Sequence, residues 1–471
     1  MPDKIKTMSR KISVKEKISY GLGDAASSMF WKIFSMYLLF FYTDVFGITA
    51  AAAGTMFLVT KVWDAFFDPV VGVISDRVST RWGKFRPFLL WVAIPFAVMG
   101  VFTFYTPDFA SGGKLVYAYI TYSLMMMVYS LINVPYASLL GVMSSDGKER
   151  TTLASYRMVF AFVGSLVALW LIEPLVKAFG GGSLTSPKGW VYAIVVFAVI
   201  ATLLFIGCFA GTKERIQPAK EEQSTLKEDL KDLWVNKPWW ILLGAGVATL
   251  LFNTIRDGVA IYYFKYYMGH SDEAQMSFLG MSMSLTTLYL VLGQAANIVG
   301  VVLATPVANR IGKKQTFFMA MLLAAVFSSF LYFFGVSDTG MILALQFIIS
   351  MCAGSVFPLL WSMYADTADY SEWKQGRRAT GLVFSASSMS QKLGWAVGGW
   401  ASGLLLAYFG FRANVEQTAF AREGIRLMLS ILPAAAALIS MLFISVYPLT
   451  EKKLKDIAAV LEERRAGHNT K

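Results

Sequence analysis

Lys61, Asp64 and Asp68 stand in "KVWDAFFDP" (61–69), inside an apolar stretch from about 50 to 74. On a helix the aspartates are four residues apart and the lysine is one turn earlier, so all three share one stripe. A charge at the centre of a bilayer costs at least roughly 2.5–3.5 kcal/mol. The stripe must therefore face a protein interior or a water-filled path. Two carboxylates a turn apart can hold a monovalent cation between their oxygens, or one can take up a proton under the repulsion of the other. Two acids with one local base exceed what helix packing requires.

Other charges recur at similar depth: Asp24 and Lys32, Arg157, Arg256 and Asp257, and Lys392. Lys392 lies in "SASSMSQKLGWAVGGW" (385–400), whose hydroxyls and Gln391 suit a polar cavity wall. In "VYSLINVPYASLL" (128–140), Ser130, Asn133 and Tyr136 recur at helical spacing, with Tyr129 beside them. Hydroxyl and amide groups there suit the OH groups of a polyhydroxylated solute, and the rings suit its C–H faces. In "YADTADYSEWKQGRRATG" (364–381), Asp366, Asp369 and Glu372 face Arg377 and Arg378. These acids, with Arg378 and Arg150, form a candidate set of ion pairs that make and break during gating.

Membrane-spanning elements must position these groups. Of 471 residues, 56% are hydrophobic and 15% charged, against about 25% charged in an ordinary soluble domain. The apolar residues come in runs of 20 or more, long enough for a hydrocarbon core of about 30 Å. Twelve spanning helices are expected, with cores at 18–46, 49–75, 85–106, 115–143, 152–179, 189–211, 239–268, 276–307, 315–335, 340–366, 378–410 and 424–447. The expected architecture is thus an all-α integral membrane protein. It has an N-terminal tail (1–17), a six-helix bundle (18–211), a linker (212–238), a second six-helix bundle (239–448) and an amphipathic tail (449–471).

The net charge of +12 gathers on alternate loops, which places both termini in the cytoplasm. No basic helix with interleaved aromatics lies outside the apolar runs, which argues against nucleic-acid binding. Cys208 and Cys352 sit inside apolar runs, and His270 and His468 have no partner at ligand spacing. No catalytic triad or zinc motif can be assembled. The expectation is no enzyme, no metal and no cofactor beyond a transported cation.

The halves repeat a loop. "GVISDRVSTRWGKFR" (72–86) follows the second span and "TPVANRIGKKQ" (305–315) follows the eighth. This pair resembles the basic-loop signature of the major facilitator superfamily, in which two pseudo-symmetric six-helix halves rock about a central site. Further, "SYGLGD" (19–24), "FFYTDVFG" (40–47), "VWDAFFDPVVG" (62–72), "RWGKFRP" (81–87), "NVPYASL" (133–139) and "ADTADYSEWK" (365–374) resemble the glycoside–pentoside–hexuronide:cation symporters of melibiose-permease type.

The resemblance implies symport of a sugar, glycoside or uronide with a proton or sodium ion, by a monomer in the inner membrane among its lipids. It implies a cation site at Asp64, Asp68 and Ser130. Lys392 would lie near both sites. The substrate set would include Asp24, Tyr129, Asn133, Arg157 and Trp361. The melibiose-type pattern has Asn between the two cation-site acids, where this chain has Phe67. That loss of an oxygen ligand favours a proton. Asn133 replaces an aspartate, Ala137 and Phe357 replace tryptophans, and Ser28 stands for an acid that reappears one turn earlier as Asp24. The sugar site is remodelled accordingly.

Overall fold

The computed structural model describes residues 12–78, 80–144, 147–215, 234–269, 275–278, 281–375 and 380–468. Two compact units divide the chain, Met1–Ile48 with Thr60–Glu221 and Thr49–Val59 with Glu222–Lys471. The first turns of the second span thus group with the second unit. There Gly54 comes so close to Gly403 that a Cβ would sit 3.1 Å from its Cα.

The first unit contains α1 (Val14–Phe40), α2 (Ala50–Arg77), α3 (Arg86–Trp91), α4 (Ala93–Thr103), α5 (Ser111–Met143), α6 (Gly147–Phe179) and α7 (Pro187–Gly211). Local chemistry sets several starts. Ser13 accepts from the Glu16 amide, and Ser186 caps α7 with Pro187 in its first turn. The expected span 85–106 is two helices meeting at Val92. Pro95 has no N–H to donate to the Trp91 carbonyl, which accounts for the break. Helix α1 packs along α6 and α7. A Cβ on Gly164 would lie 2.5 Å from the Ala25 carbonyl oxygen, so α1 and α6 touch backbone to backbone.

The second unit contains α8 (Lys237–Tyr262), strands β1 (Gln275–Phe278) and β2 (Met281–Ser284), and then α9 (Leu285–Ile311), α10 (Lys313–Phe330) and α11 (Thr339–Gln375). It continues with α12 (Thr380–Tyr408), α13 (Ala419–Leu429), α14 (Ile431–Ser445) and α15 (Glu451–His468). Helix α9 packs along α11, while α12 and α14 flank α8. The expected helix from 276 is corrected. Strands β1 and β2 pair antiparallel, Gln275 with Ser284 and Phe278 with Met281. "MSMS" alternates polar and apolar residues at strand period, and Ser284 then caps α9 by accepting from the Thr287 amide. The last span also breaks, at Ser430, three residues before Pro433. Most of the linker, 216–233, lies outside the described residues.

Internal repetition is plain. Both α1 and α8 run into a π-helical turn, Phe41–Phe46 and Tyr263–Tyr267. Each ends at a glycine with positive φ, Gly47 (+90°) and Gly269 (+63°). Among the described residues nine helical segments are long and apolar enough to cross a membrane. The other three expected spans fall on α2, the α3–α4 pair and α12, which are helical but charged, broken or rich in hydroxyls. Large apolar side chains such as Phe66, Val302, Phe333 and Leu442 are exposed, as a lipid-facing surface requires.

Each basic loop is held by an acid from just beyond the last span of its half. Gly83 (φ +110°) turns the first loop, and the Glu214 carboxylate accepts from the amides of Lys84, Phe85 and Arg86 at 2.9, 2.8 and 2.9 Å. Gly312 (φ +92°) turns the second, and Glu451 accepts from the Lys313 amide at 3.0 Å. Glu214→Ala should lower the unfolding free energy of the first half by about 2–4 kcal/mol, since it strips three amides of a charged acceptor. Glu214→Gln, which keeps one oxygen, should lose less. Thermal unfolding of the purified chain checks both.

Candidate functional site

Helix α2 turns its charged stripe inward. Val62, Trp63, Phe66 and Val70 are exposed, whereas Thr60, Lys61 and Asp64 are buried. Asp64, only 3% exposed, accepts a 2.7 Å hydrogen bond from Ser130 Oγ of α5. That length is ordinary for a hydroxyl donating to oxygen, and it ties α2 to α5 at the acid. Asp68 follows one turn on and is half-buried. One turn before, Lys61 Nζ lies 4.2 Å from the centre of the Trp31 ring and 3.1 Å from Met126 Sδ. Thr60 Oγ1 is 3.3 Å from Ser123 Oγ, a second polar link between α2 and α5. Phe67 is half-buried, its ring 6.5 Å from that of Trp63. It offers no oxygen between the two acids.

Beside this stripe, α1 and α6 build a second polar centre. Arg157 Nε donates to Asp24 Oδ2 at 2.7 Å, and both side chains keep some exposure. The guanidinium carbon lies 4.6 Å from the ring centre of Tyr136 and 5.7 Å from that of Tyr20. Tyr136 Oη donates to the Tyr20 carbonyl at 2.7 Å, which fixes α1 to α5 and sets the rings around the arginine. Gly23 makes room, since a Cβ there would stand 2.6 Å from the Tyr136 ring. Tyr129 packs 5.7 Å from Trp31. Asn133 Nδ2 donates to the Tyr129 carbonyl of its own helix at 3.0 Å.

The remaining expected residues lie in the second unit. Trp361 of α11 is half-buried, with its ring 6.1 Å from Tyr364, and Lys392 of α12 is half-buried. Asp366 accepts from Lys313 Nζ at 2.7 and 2.8 Å. Its partner is thus the lysine of the Gly-Lys loop, a base the sequence reading had not joined to it. Asp369 and Glu372 are half-buried further along α11. Arg378 lies outside the described residues, and so does the side chain of Arg150 in α6.

Sequence reasoning missed Tyr20, Trp31 and Glu214. The signal for Tyr20 was its place one turn before Asp24. For Glu214 it was an acid at the head of an otherwise basic loop face.

Membrane-length helices, a buried carboxylate on an inward-facing stripe and an adjacent acid–arginine centre walled by aromatics define a membrane transporter, not an enzyme. The chain belongs to the MFS/sugar transport protein family, whose model matches residues 19–451. It is 37% identical over 457 residues to the inner membrane symporter YicJ of Escherichia coli (strain K12), covering 97% of this chain and 96% of that one. It is 38% identical to the isoprimeverose transporter of Lactiplantibacillus pentosus, covering 96% and 92%. The fold is shared with the crystal structure of a mutant of the nucleoside transporter NupG, at TM-score 0.68 and 14% identity over 92% of this chain and all of that one.

Two variants separate support from chemistry at the acid–arginine centre. Arg157→Gln leaves Asp24 without its counter-charge and should cost about 2–4 kcal/mol of stability. Adding Asp24→Asn should recover most of that stability without recovering uptake. A double-mutant cycle read by thermal unfolding and by sugar uptake checks the pair.

Proposed function

We propose that the protein is a symporter of the bacterial inner membrane that carries a sugar, glycoside or uronide into the cell with a proton or sodium ion, by alternating access. The observation that carries this reading is the Asp64–Ser130 bond with Asp68 one turn away, on the inward face of α2. A small cation between these carboxylates would neutralise charge that lipid cannot solvate. Phe67 removes an oxygen ligand at that place, which favours a proton over sodium. The Asp24–Arg157 centre suits the solute: carboxylate and guanidinium take sugar hydroxyls, and the faces of Tyr20 and Tyr136 take C–H groups. The Lys- and Arg-rich loops support a cytoplasmic location for both termini.

The energetics fit uptake. Each cation entering with a neutral sugar gains about 2.3 kcal/mol per 100 mV, inside negative. That alone supports roughly 50-fold accumulation, since 1.4 kcal/mol is tenfold. Coupling requires cation and sugar to raise each other's affinity.

Reconstitution in proteoliposomes tests this. Wild-type protein should accumulate sugar against its gradient when a proton or sodium gradient is imposed, and Asp68→Asn should abolish that uphill uptake. Accumulation by the variant would move the coupling site elsewhere. Counterflow indifferent to cations in the wild type would mark an uncoupled facilitator.

A further inference from the structure

An apolar groove of about 370 Å³ opens between α4 and α7 of the first unit. Small side chains, Ala97 and the buried Ala198, form its floor. The exposed Val98 and Phe102 of α4 stand on one side, and the exposed Val199 and Leu203 of α7 on the other. The one hydroxyl in its lining, Thr202 Oγ1, already donates to the Ala198 carbonyl at 2.8 Å. Nothing inside the groove asks for a polar ligand, so its occupant is a hydrocarbon chain.

One face of α7 leads from this groove to a charge. Lys188, Tyr192, Val195, Val199 and Leu203 follow at spacings of four, three, four and four, a single helical stripe. All five are exposed. Among the described residues no carboxylate pairs with Lys188, and the stretch 180–186 before it holds no acid. A lysine in the first turn of a helix opposes the helix dipole, so α7 gains no stability from it. At 1.5 Å per residue, the groove runs from about 10 to about 22 Å below Lys188. A bilayer with its headgroups is about 40–45 Å thick. The groove therefore spans the acyl region of one leaflet, from below the headgroups to the midplane, with Lys188 at headgroup level.

We propose that the α4–α7 groove binds one anionic phospholipid of the phosphatidylglycerol type, with an acyl chain in the groove and the phosphate on the Lys188 ammonium. Tyr192 sits between them, its ring against the chain and its hydroxyl toward the glycerol level, as aromatic side chains do at membrane interfaces. A second copy of the chain is a poorer occupant. A two-fold axis along the membrane normal would bring two Lys188 side chains to the same depth, where this stretch supplies no acid to separate them. The site rests on the membrane-spanning fold and not on the solute carried.

The test uses the full-length chain, purified in detergent and stripped of lipid. It is titrated with palmitoyl-oleoyl phosphatidylglycerol or phosphatidylcholine, and the first lipid bound is counted by native mass spectrometry. The wild type should prefer phosphatidylglycerol about fivefold, the worth of one basic side chain to an anionic lipid at the membrane surface. Lys188→Gln, at an exposed position, should bring that ratio to about one and leave phosphatidylcholine binding as it was. Ala97→Phe fills the floor of the groove and should weaken the first binding of both lipids at least about fivefold. No preference in the wild type, or a preference surviving in Lys188→Gln, would overturn the assignment. Unchanged binding in Ala97→Phe would overturn it too, and so would a lipid-free dimer that Ala97→Phe dissociates, which would give the groove to a second copy.

Discussion

A carboxylate taken out of water must be solvated by something else, and in a membrane the protein has to supply it. Asp64 obeys that constraint, and much of the first unit follows from it. Its helix cannot be amphipathic in the soluble sense, with charge outward. The charged stripe points at α1 and α5, and the opposite face carries Trp63 and Phe66. Ser130 must be a hydroxyl on the facing turn of α5 for the carboxylate to be met at 2.7 Å. The Trp31 face and the Met126 sulfur add polarizable surface beside the Lys61 ammonium.

What could be read in the sequence divides along the range of the physics. The orientation of α2 was legible because the cost of a charge in lipid is local, and three charges at helical spacing name their own face. The α1–α6 pairing of Asp24 with Arg157 was legible only as two isolated charges and a family likeness, since 133 residues separate them. The clamp on the first loop was invisible for the same reason, with Glu214 between 128 and 130 residues from its amides. The strands β1 and β2 were misread because mean apolarity cannot tell a strand from a helix, although "MSMS" carried the shorter period. The partner of Asp366 was sought along its own turn, whereas Lys313 reaches it from the first turn of α10.

The two halves show how one scaffold carries different chemistry. Both end their first helix in a π-helical turn and a left-handed glycine, and both pin a Gly-Lys loop with a glutamate from beyond their sixth span. The scaffold glycines are retained where backbones meet: Gly164 against Ala25 in one half, and Gly354 against Asn297 in the other. What differs is the charge on the interior faces. The first half pairs its arginine with Asp24, and the second surrounds Arg256 with neutral acceptors. Duplicated packing fixes where side chains can be placed, and substitution at those places changes the chemistry they offer.

A transporter differs from a receptor in that its ligands must leave. An ion pair sealed from water would be too costly to open, because separating its charges leaves each one unsolvated. Asp24 and Arg157 avoid that extreme: their side chains are 18% and 24% exposed, so water shares in solvating both partners. Screening of this kind makes the pair weaker, and easier to open, than one sealed from water. On the proposed function, sugar hydroxyls can then replace part of the contact between carboxylate and guanidinium at little net cost, and be replaced in turn when the solute departs. The aromatic walls hold the guanidinium in place through the exchange, since the Tyr136 ring and its bond to the Tyr20 carbonyl do not depend on which oxygen the arginine meets.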